Sequence, residues 1–290
     1  MYRGGTYLSI GDSITWNSIY GTTAPVLNDG AHYNFLTARW IDTNKGNIQF
    51  INKGSGGATS TNFWNNRNFW ANIRADLATI CLGMNDSAAG QVSTSTYQTN
   101  LTNIIGRLRT VNPNVRIVLC TPPPTIDPNR STIGDYVTVC VNLATSLNTT
   151  ASPVTVCRFD QAWATDNAGL KSAMPYFNIQ SITATSSLMT VNATAHGLST
   201  GAQISIRGSA QSTYNVTYSS GTSTPVITRV NDNQFTIAGS GFSTAGDSTA
   251  GMAGFSDNVH PTTTGHVLLS NALTAVIGSD AWYSQLGVIS

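Results

Sequence analysis

Five short apolar runs recur along the chain, at Thr6 to Ile10, Ile48 to Ile51, Ala78 to Leu82, Val115 to Cys120 and Val154 to Phe159, and longer stretches separate them. Continuous apolar character over so few residues predicts strands buried on both faces. Between the third and fourth runs, Tyr97, Leu101, Ile104, Ile105 and Leu108 repeat at the spacing of one helix face. Ser93 or Thr94 is placed to cap that helix, and Asn112-Pro113 to stop it. A further helix is expected to open at Pro261 and Thr262 to Thr264, with Val267, Leu268, Ala272, Leu273 and Val276 as its apolar stripe. Strands alternating with helices predict an α/β fold, with a three-layer parallel sheet flanked by helices.

The texture changes between about Ile179 and Gly254. Short alternating runs appear there, at Leu188 to Val191, Gln203 to Ile206, Val226 to Val230 and Gln234 to Ile237, punctuated by glycine and asparagine. This is the pattern of β-hairpins. The predicted organisation is therefore a small all-β domain at 179–254, inserted into a discontinuous α/β domain formed by 1–178 and 255–290. Around Ala195-His196-Gly197-Leu198 the insert resembles small β domains of phage tail and other bacterial-virus surface proteins.

Composition narrows the partners. Charged residues make up 9% of the 290, with 14 Lys+Arg against 13 Asp+Glu, so no basic surface offers itself to nucleic acid or an anionic membrane. No stretch reaches the roughly 20 apolar residues of a membrane span. Met1-Tyr2-Arg3-Gly4-Gly5 lacks the apolar centre of a signal peptide, which still leaves a trimmed leader compatible with the expected secreted or virion-associated location. Cys81, Cys120, Cys140 and Cys157 show no metal-ligand spacing and read as buried free thiols.

Four blocks carry candidate chemistry. Tyr7 to Ile10 runs into Gly11-Asp12-Ser13, a strand-to-helix turn that would present the serine hydroxyl at the carboxyl end of a parallel strand. Near the other terminus stands Asp257-Asn258-Val259-His260-Pro261. A serine hydroxyl needs an imidazole base held by a carboxylate, roles that His260 and Asp257 fit, although Asp257 equally fits a turn cap. Asn52 to Thr59 and Leu82-Gly83-Met84-Asn85-Asp86 each end a strand in a loop. Their glycine N–H groups and the Asn85 amide fit an oxyanion site, and fit tight turns equally well. Asp86 suits a loop-orienting role, and His266 a place on a helix face. Trp16, Trp64 and Trp70 are candidates for a sugar cleft or for packing.

In this order the four blocks resemble the SGNH (GDSL-like) serine hydrolase superfamily, over roughly residues 6 to 178 and 255 to 280. The resemblance implies a flavodoxin-like sheet and a catalytic set of Ser13, Gly57, Asn85, Asp257 and His260. Ser13 would be nucleophile and oxyanion donor, Gly57 the second backbone donor with Gly56 as fallback, and Asn85 the side-chain donor. No metal or cofactor is implied. The expected substrate is a small-molecule or polysaccharide ester, with a carbohydrate O-acetylesterase favoured by the polar surface. A lipase or thioesterase and a non-catalytic glycan-binding tail or adhesion protein are the competing readings. Homo-oligomer or virion tail assembly is the expected setting.

Overall fold

The computed structural model describes residues 5–16, 30–125, 128–163, 173–174, 176–216, 226–249, 253–255 and 259–279. The chain divides into two compact units, 1–163 with 259–290, and 164–258.

The first unit holds strands β1 (Gly5–Gly11), β2 (Ile48–Gly54), β3 (Leu77–Cys81), β4 (Arg116–Cys120) and β5 (Val154–Cys157). They form one parallel sheet in the order β2-β1-β3-β4-β5. This is the flavodoxin-like order, whose direction of winding switches beside β1. The helices are α1 (Ser13–Trp16), α2 (Tyr33–Lys45), α3 (Ser60–Asn65), α4 (Thr94–Val111), α5 (Ile133–Ser146) and α6 (Thr263–Ser279). Packing separates them into two groups, α2 with α6, and α3 and α5 with α4 between them.

The interior strands β1, β3 and β4 are buried as their apolar runs require. The expectation of burial on both faces fails at β2, which is only half-buried along most of its length because it forms a sheet edge. Helix α4 buries all five predicted positions, Tyr97, Leu101, Ile104, Ile105 and Leu108, and the Ser93 hydroxyl caps it by accepting from Thr96 N at 3.2 Å. The predicted stripe of α6 needs correction. Its buried face carries His266, Leu269, Ser270, Leu273 and Ile277, while Val267 is 40% exposed. Thr37 Oγ1 meets Ser270 Oγ at 3.1 Å, and Tyr33 N donates to His266 Nδ1 at 3.4 Å. Polar pairing with α2 therefore selects the face of a helix that is apolar over much of its circumference.

The second unit contains β6 (Tyr176–Asn178), β7 (Ser181–Ala184), β8 (Leu188–Asn192), β9 (Ser205–Arg207), β10 (Ile227–Asn231), β11 (Gln234–Ala238) and β12 (Ala253–Phe255). These make two antiparallel sheets, β10-β11-β8-β7 and β6-β12-β9. Ile182, Met189, Val191, Ile204, Phe235 and Ile237 are among the residues of its own core. The His196 turn is held internally: Nδ1 accepts from Leu198 N at 3.0 Å, which leaves Nε2–H to donate to Asn231 O at 2.9 Å. Among the described residues, no helix is long and apolar enough to cross a membrane, and no group of three or more His, Cys, Asp or Glu is placed to hold a metal. All four cysteines are free and buried.

Candidate active site

The carboxyl ends of β2, β1 and β3 lie side by side in the sheet, and each runs into one of the candidate loops. Between β1 and the serine the backbone turns at Gly11 and Asp12. A Cβ at Gly11 would stand 2.6 Å from the Cys81 carbonyl and 2.0 Å from Thr15 Oγ1, so only glycine allows strand and turn to close here. Asp12 Oδ1 accepts from Ile14 N at 3.0 Å, and Asp12 O accepts from Trp16 N at 2.9 Å, which winds α1 directly behind the strand. Ser13 is thereby the first residue of α1.

His260 arrives from the far end of the sequence. Its Nε2 lies 2.9 Å from Ser13 Oγ across a separation of 247 residues. With that nitrogen unprotonated, the serine hydroxyl donates to it, and the imidazole is positioned to remove the proton when Oγ attacks. Asp257 lies outside the described residues.

The β2 loop is tied to the serine turn. Ser55 N donates to Gly11 O at 2.9 Å, and Asn52 Nδ2 donates to Thr15 O at 2.9 Å. A Cβ at Gly54 would sit 2.3 Å from Trp16 N, so the loop backbone rests directly on α1. Gly57 follows, with φ 70. Among the described residues, neither the Ser13 N–H nor the Gly57 N–H donates a hydrogen bond. The β3 loop joins from the other side. Asn85 Nδ2 donates to Ala58 O at 3.1 Å, which brings this amide to the Gly57-Ala58 segment and leaves its second hydrogen for another acceptor. Asp86, fully buried, takes Ser60 N on its two oxygens at 2.9 and 3.1 Å, the loop-orienting role expected of it.

Burial governs the carboxylates beneath this site. Desolvation pushes the Asp12 carboxyl up to about 7, against the opposing pull of the Ile14 N–H and of His260. Asp86 is raised by the same cause, with its hydrogen bonds to Ser60 opposing.

Two supports were not singled out from sequence. Asn34 Nδ2 donates to Thr15 O at 2.9 Å, and the Thr15 hydroxyl meets Tyr33 Oη at 2.8 Å. With Asn52, they fix the end of α1 from two sides. A polar Asn52 closing the apolar run Ile48 to Ile51 is a signal in hindsight; Asn34 has none, because α2 lacks an apolar stripe. The tryptophans divide. Trp70 is core, fully buried with Nε1–H donating to Phe63 O at 3.2 Å, and so lines no cleft. Trp64 lies under the Arg67 guanidinium, 4.7 Å from its ring centre. Trp16 is 43% exposed. His266 is wholly buried on α6, its ring stacked on Tyr33 at 6.2 Å.

The model of the GDSL-like lipase/acylhydrolase family matches residues 9–177. Among curated proteins none matches the chain. Similar solved structures include a carbohydrate esterase family 3 protein from Talaromyces cellulolyticus, at 19% identity over 53% of this chain and 79% of that one, TM-score 0.45. A lipase/acylhydrolase from Enterococcus faecalis is 20% identical over 59% of this chain and 84% of that one, TM-score 0.46. An aryl esterase from M. smegmatis is 16% identical over 53% and 84%, TM-score 0.43.

Proposed function

The chain belongs to the GDSL-like lipase/acylhydrolase family and is a carboxylic ester hydrolase, and we propose that it removes O-acetyl groups from a polysaccharide through an acyl-enzyme on Ser13. The observation that carries this reading is the 2.9 Å contact between Ser13 Oγ and His260 Nε2 at the carboxyl end of β1.

In the proposed reaction the Ser13 proton passes to His260 Nε2 as Oγ bonds to the ester carbonyl carbon. The oxyanion accepts from the Ser13 and Gly57 N–H groups and the free hydrogen of the Asn85 amide. The imidazolium returns its proton to the departing sugar oxygen, leaving acetyl on Ser13. Water, losing a proton to the same imidazole, then attacks the acyl carbon, and Oγ takes that proton back from the imidazolium as acetate is released. Asp257, three residues before His260 in sequence, is assigned the part of orienting the ring.

A carbohydrate substrate is favoured by a chain with only 9% charged residues and an abundance of hydroxyl and amide side chains. The likeness of the β-rich stretch to bacterial-virus tail modules makes a bacterial surface glycan the polysaccharide proposed.

Ser13→Ala and His260→Ala are expected to lower kcat on p-nitrophenyl acetate by roughly four to six orders of magnitude while the fold persists by circular dichroism. A fluorophosphonate should label Ser13, and acetate release from acetylated bacterial polysaccharides should stop in the variants. Labelling at another serine overturns the assignment. Preference for long acyl esters redirects the reading to a lipase or thioesterase, and inertness of the folded wild type redirects it to a glycan binder. Asn85→Ala should cost about a hundredfold in kcat with little change in KM; a change confined to KM removes Asn85 from the oxyanion site.

A further inference from the structure

Two features flank the serine turn along the carboxyl edge of the sheet, and the ester chemistry uses neither. On the β2 side is the exposed indole of Trp16, at the end of the short helix that Ser13 begins. Its placement is built rather than incidental. A Cβ at Gly56 would come within 2.9 Å of Trp16 Cζ3 and 3.0 Å of Cε3, so the ring lies directly against the glycine backbone. Asn52 Nδ2 holds the preceding carbonyl of Thr15 at 2.9 Å and reaches Trp16 O at 3.4 Å. An aromatic ring fixed from behind and exposed in front is a platform for another flat, weakly polar face.

On the β3 and β4 side, a cavity of about 550 Å³ opens beside the loop that follows Asn85. Ser87, Gln91, Asn129, Ser131 and Thr132 supply hydroxyl and amide groups to its lining, and among the described residues no Asp, Glu, Lys or Arg lines it. Its walls are tied to the site. Arg130 Nε donates to Met84 O at 2.8 Å, Ala89 N donates to Asn129 O at 2.8 Å, and the Tyr136 hydroxyl donates to Val92 O. Neutral hydroxyls and amides without fixed charge suit a ligand that is itself uncharged and rich in hydroxyls.

Strand order places these features on opposite sides of the nucleophile. From β2 through β1 and β3 to β4 the sheet spans about 14 Å at the usual strand separation, the length of a short oligosaccharide rather than of a single acetylated sugar. We propose that the carboxyl edge of the sheet carries an extended cleft for an uncharged oligosaccharide, with Trp16 stacking one sugar ring on one side of Ser13 and the polar cavity taking another sugar on the other. The apolar C–H face of a pyranose meets the indole, and its hydroxyl rim meets the serines, threonines and amides of the cavity. The cleft rests on the reading of Ser13 as the esterase nucleophile and names the substrate of that site.

The test compares chemically mono-O-acetylated glucose, cellobiose and cellotetraose as substrates of the full chain. The ratio of kcat/KM for the tetramer to that for the monomer should be tenfold or more in the wild type. Trp16→Ala and Ser131→Trp should each pull that ratio towards one through KM, and Trp16→Tyr should restore most of it. A wild-type ratio near one overturns the cleft, as does a Trp16→Ala loss in kcat with KM unchanged, which would mark a structural part in holding α1. Binding is read separately in the Ser13→Ala protein by saturation-transfer NMR. Unacetylated cellotetraose and N-acetylated chitotetraose should bind, and tetragalacturonate should bind at least tenfold more weakly. Oligosaccharide binding in a protein that cleaves no ester would retain the cleft and sink the esterase reading; ester cleavage without oligosaccharide binding would do the reverse.

Discussion

On one face of the parallel sheet, the rows Leu8–Ala78–Ile117–Val154 and Ile10–Ile80–Leu119–Val156 lie side by side in register and pack beneath α3, α4 and α5. On the other face, the rows bring together Tyr7 with Leu77, Ser9 with Thr79 and Val118, and Cys81 with Cys120 and Cys157. Tyr7 Oη meets Thr79 Oγ1 at 3.1 Å, Thr79 reaches Ser9 at 3.3 Å, and Asn34 joins Ser9 at 3.3 Å before holding Thr15 O. The first face coheres by apolar burial, which is non-directional and spreads its energy over many contacts. The second also buries apolar side chains, Leu77 and Val118 among them, and adds hydrogen bonds that hold only at particular distances and angles, whose chain of partners ends on the helix that begins with Ser13. The difference assigns the aim of the serine turn to the second face, through its hydrogen bonds.

The hardest blow to the apolar face is Leu119→Ala, which should lower unfolding free energy by about 2–5 kcal/mol with kcat largely kept at temperatures where the variant is folded. Chemical denaturation and ester hydrolysis measured on one preparation separate the two quantities. A fall in kcat as large as that of the polar-face variant would erase the distinction between the faces.

Asn34→Ala sharpens it from the other side. Thr15 O then depends on Asn52 alone, and the loss should cost roughly 1–3 kcal/mol in stability and, through a misaimed Oγ, about tenfold or more in kcat. Were only stability to drop, the hydroxyl network would be structural and the aim of Ser13 set elsewhere.

The last expected effect is a slope. Asp12 is pushed up to about 7 by burial, whereas an unfolded aspartate titrates near 4. Its contribution to stability is complete below the unfolded value and is lost as pH rises towards 7, because the unfolded chain releases the proton first. Subtracting the stability–pH curve of Asp12→Asn from that of the wild type should leave a decline between about pH 4 and pH 7. A flat difference would mean that Asp12 is ionised in the folded protein throughout.

The same contrast explains how far the chain could be read. Helix α4 packs on the apolar face, and its five-residue stripe was visible at helical spacing. Helix α2 buries Tyr33, Asn34, Thr37, Ala38 and Ile41, a face too polar to register as a stripe. Helix α6 is legible as a helix but its orientation is not, because His266 and Ser270 point inward to polar partners while Val267 turns out. At the site, Gly11-Asp12-Ser13 and His260 were legible because strand-turn and loop chemistry are local. The supports Asn34 and Asn52 were not, because an amide looks the same in sequence whether it meets water or a buried carbonyl.

By itself the sequence determined the α/β alternation, the position of the parallel strands, the β-rich texture before the last helix and the four blocks of candidate chemistry. All of these depend on neighbours within a turn or a strand, through hydrophobic period and turn residues. Only the tertiary structure decided the strand order β2-β1-β3-β4-β5, which face of α6 is buried, and the pairing of Ser13 with His260. Contacts between residues 247 positions apart, or 233 for Tyr33 and His266, leave no local period to read. They exist because the closed sheet brings polar groups from distant parts of the chain into one buried region, where each needs a partner to satisfy it.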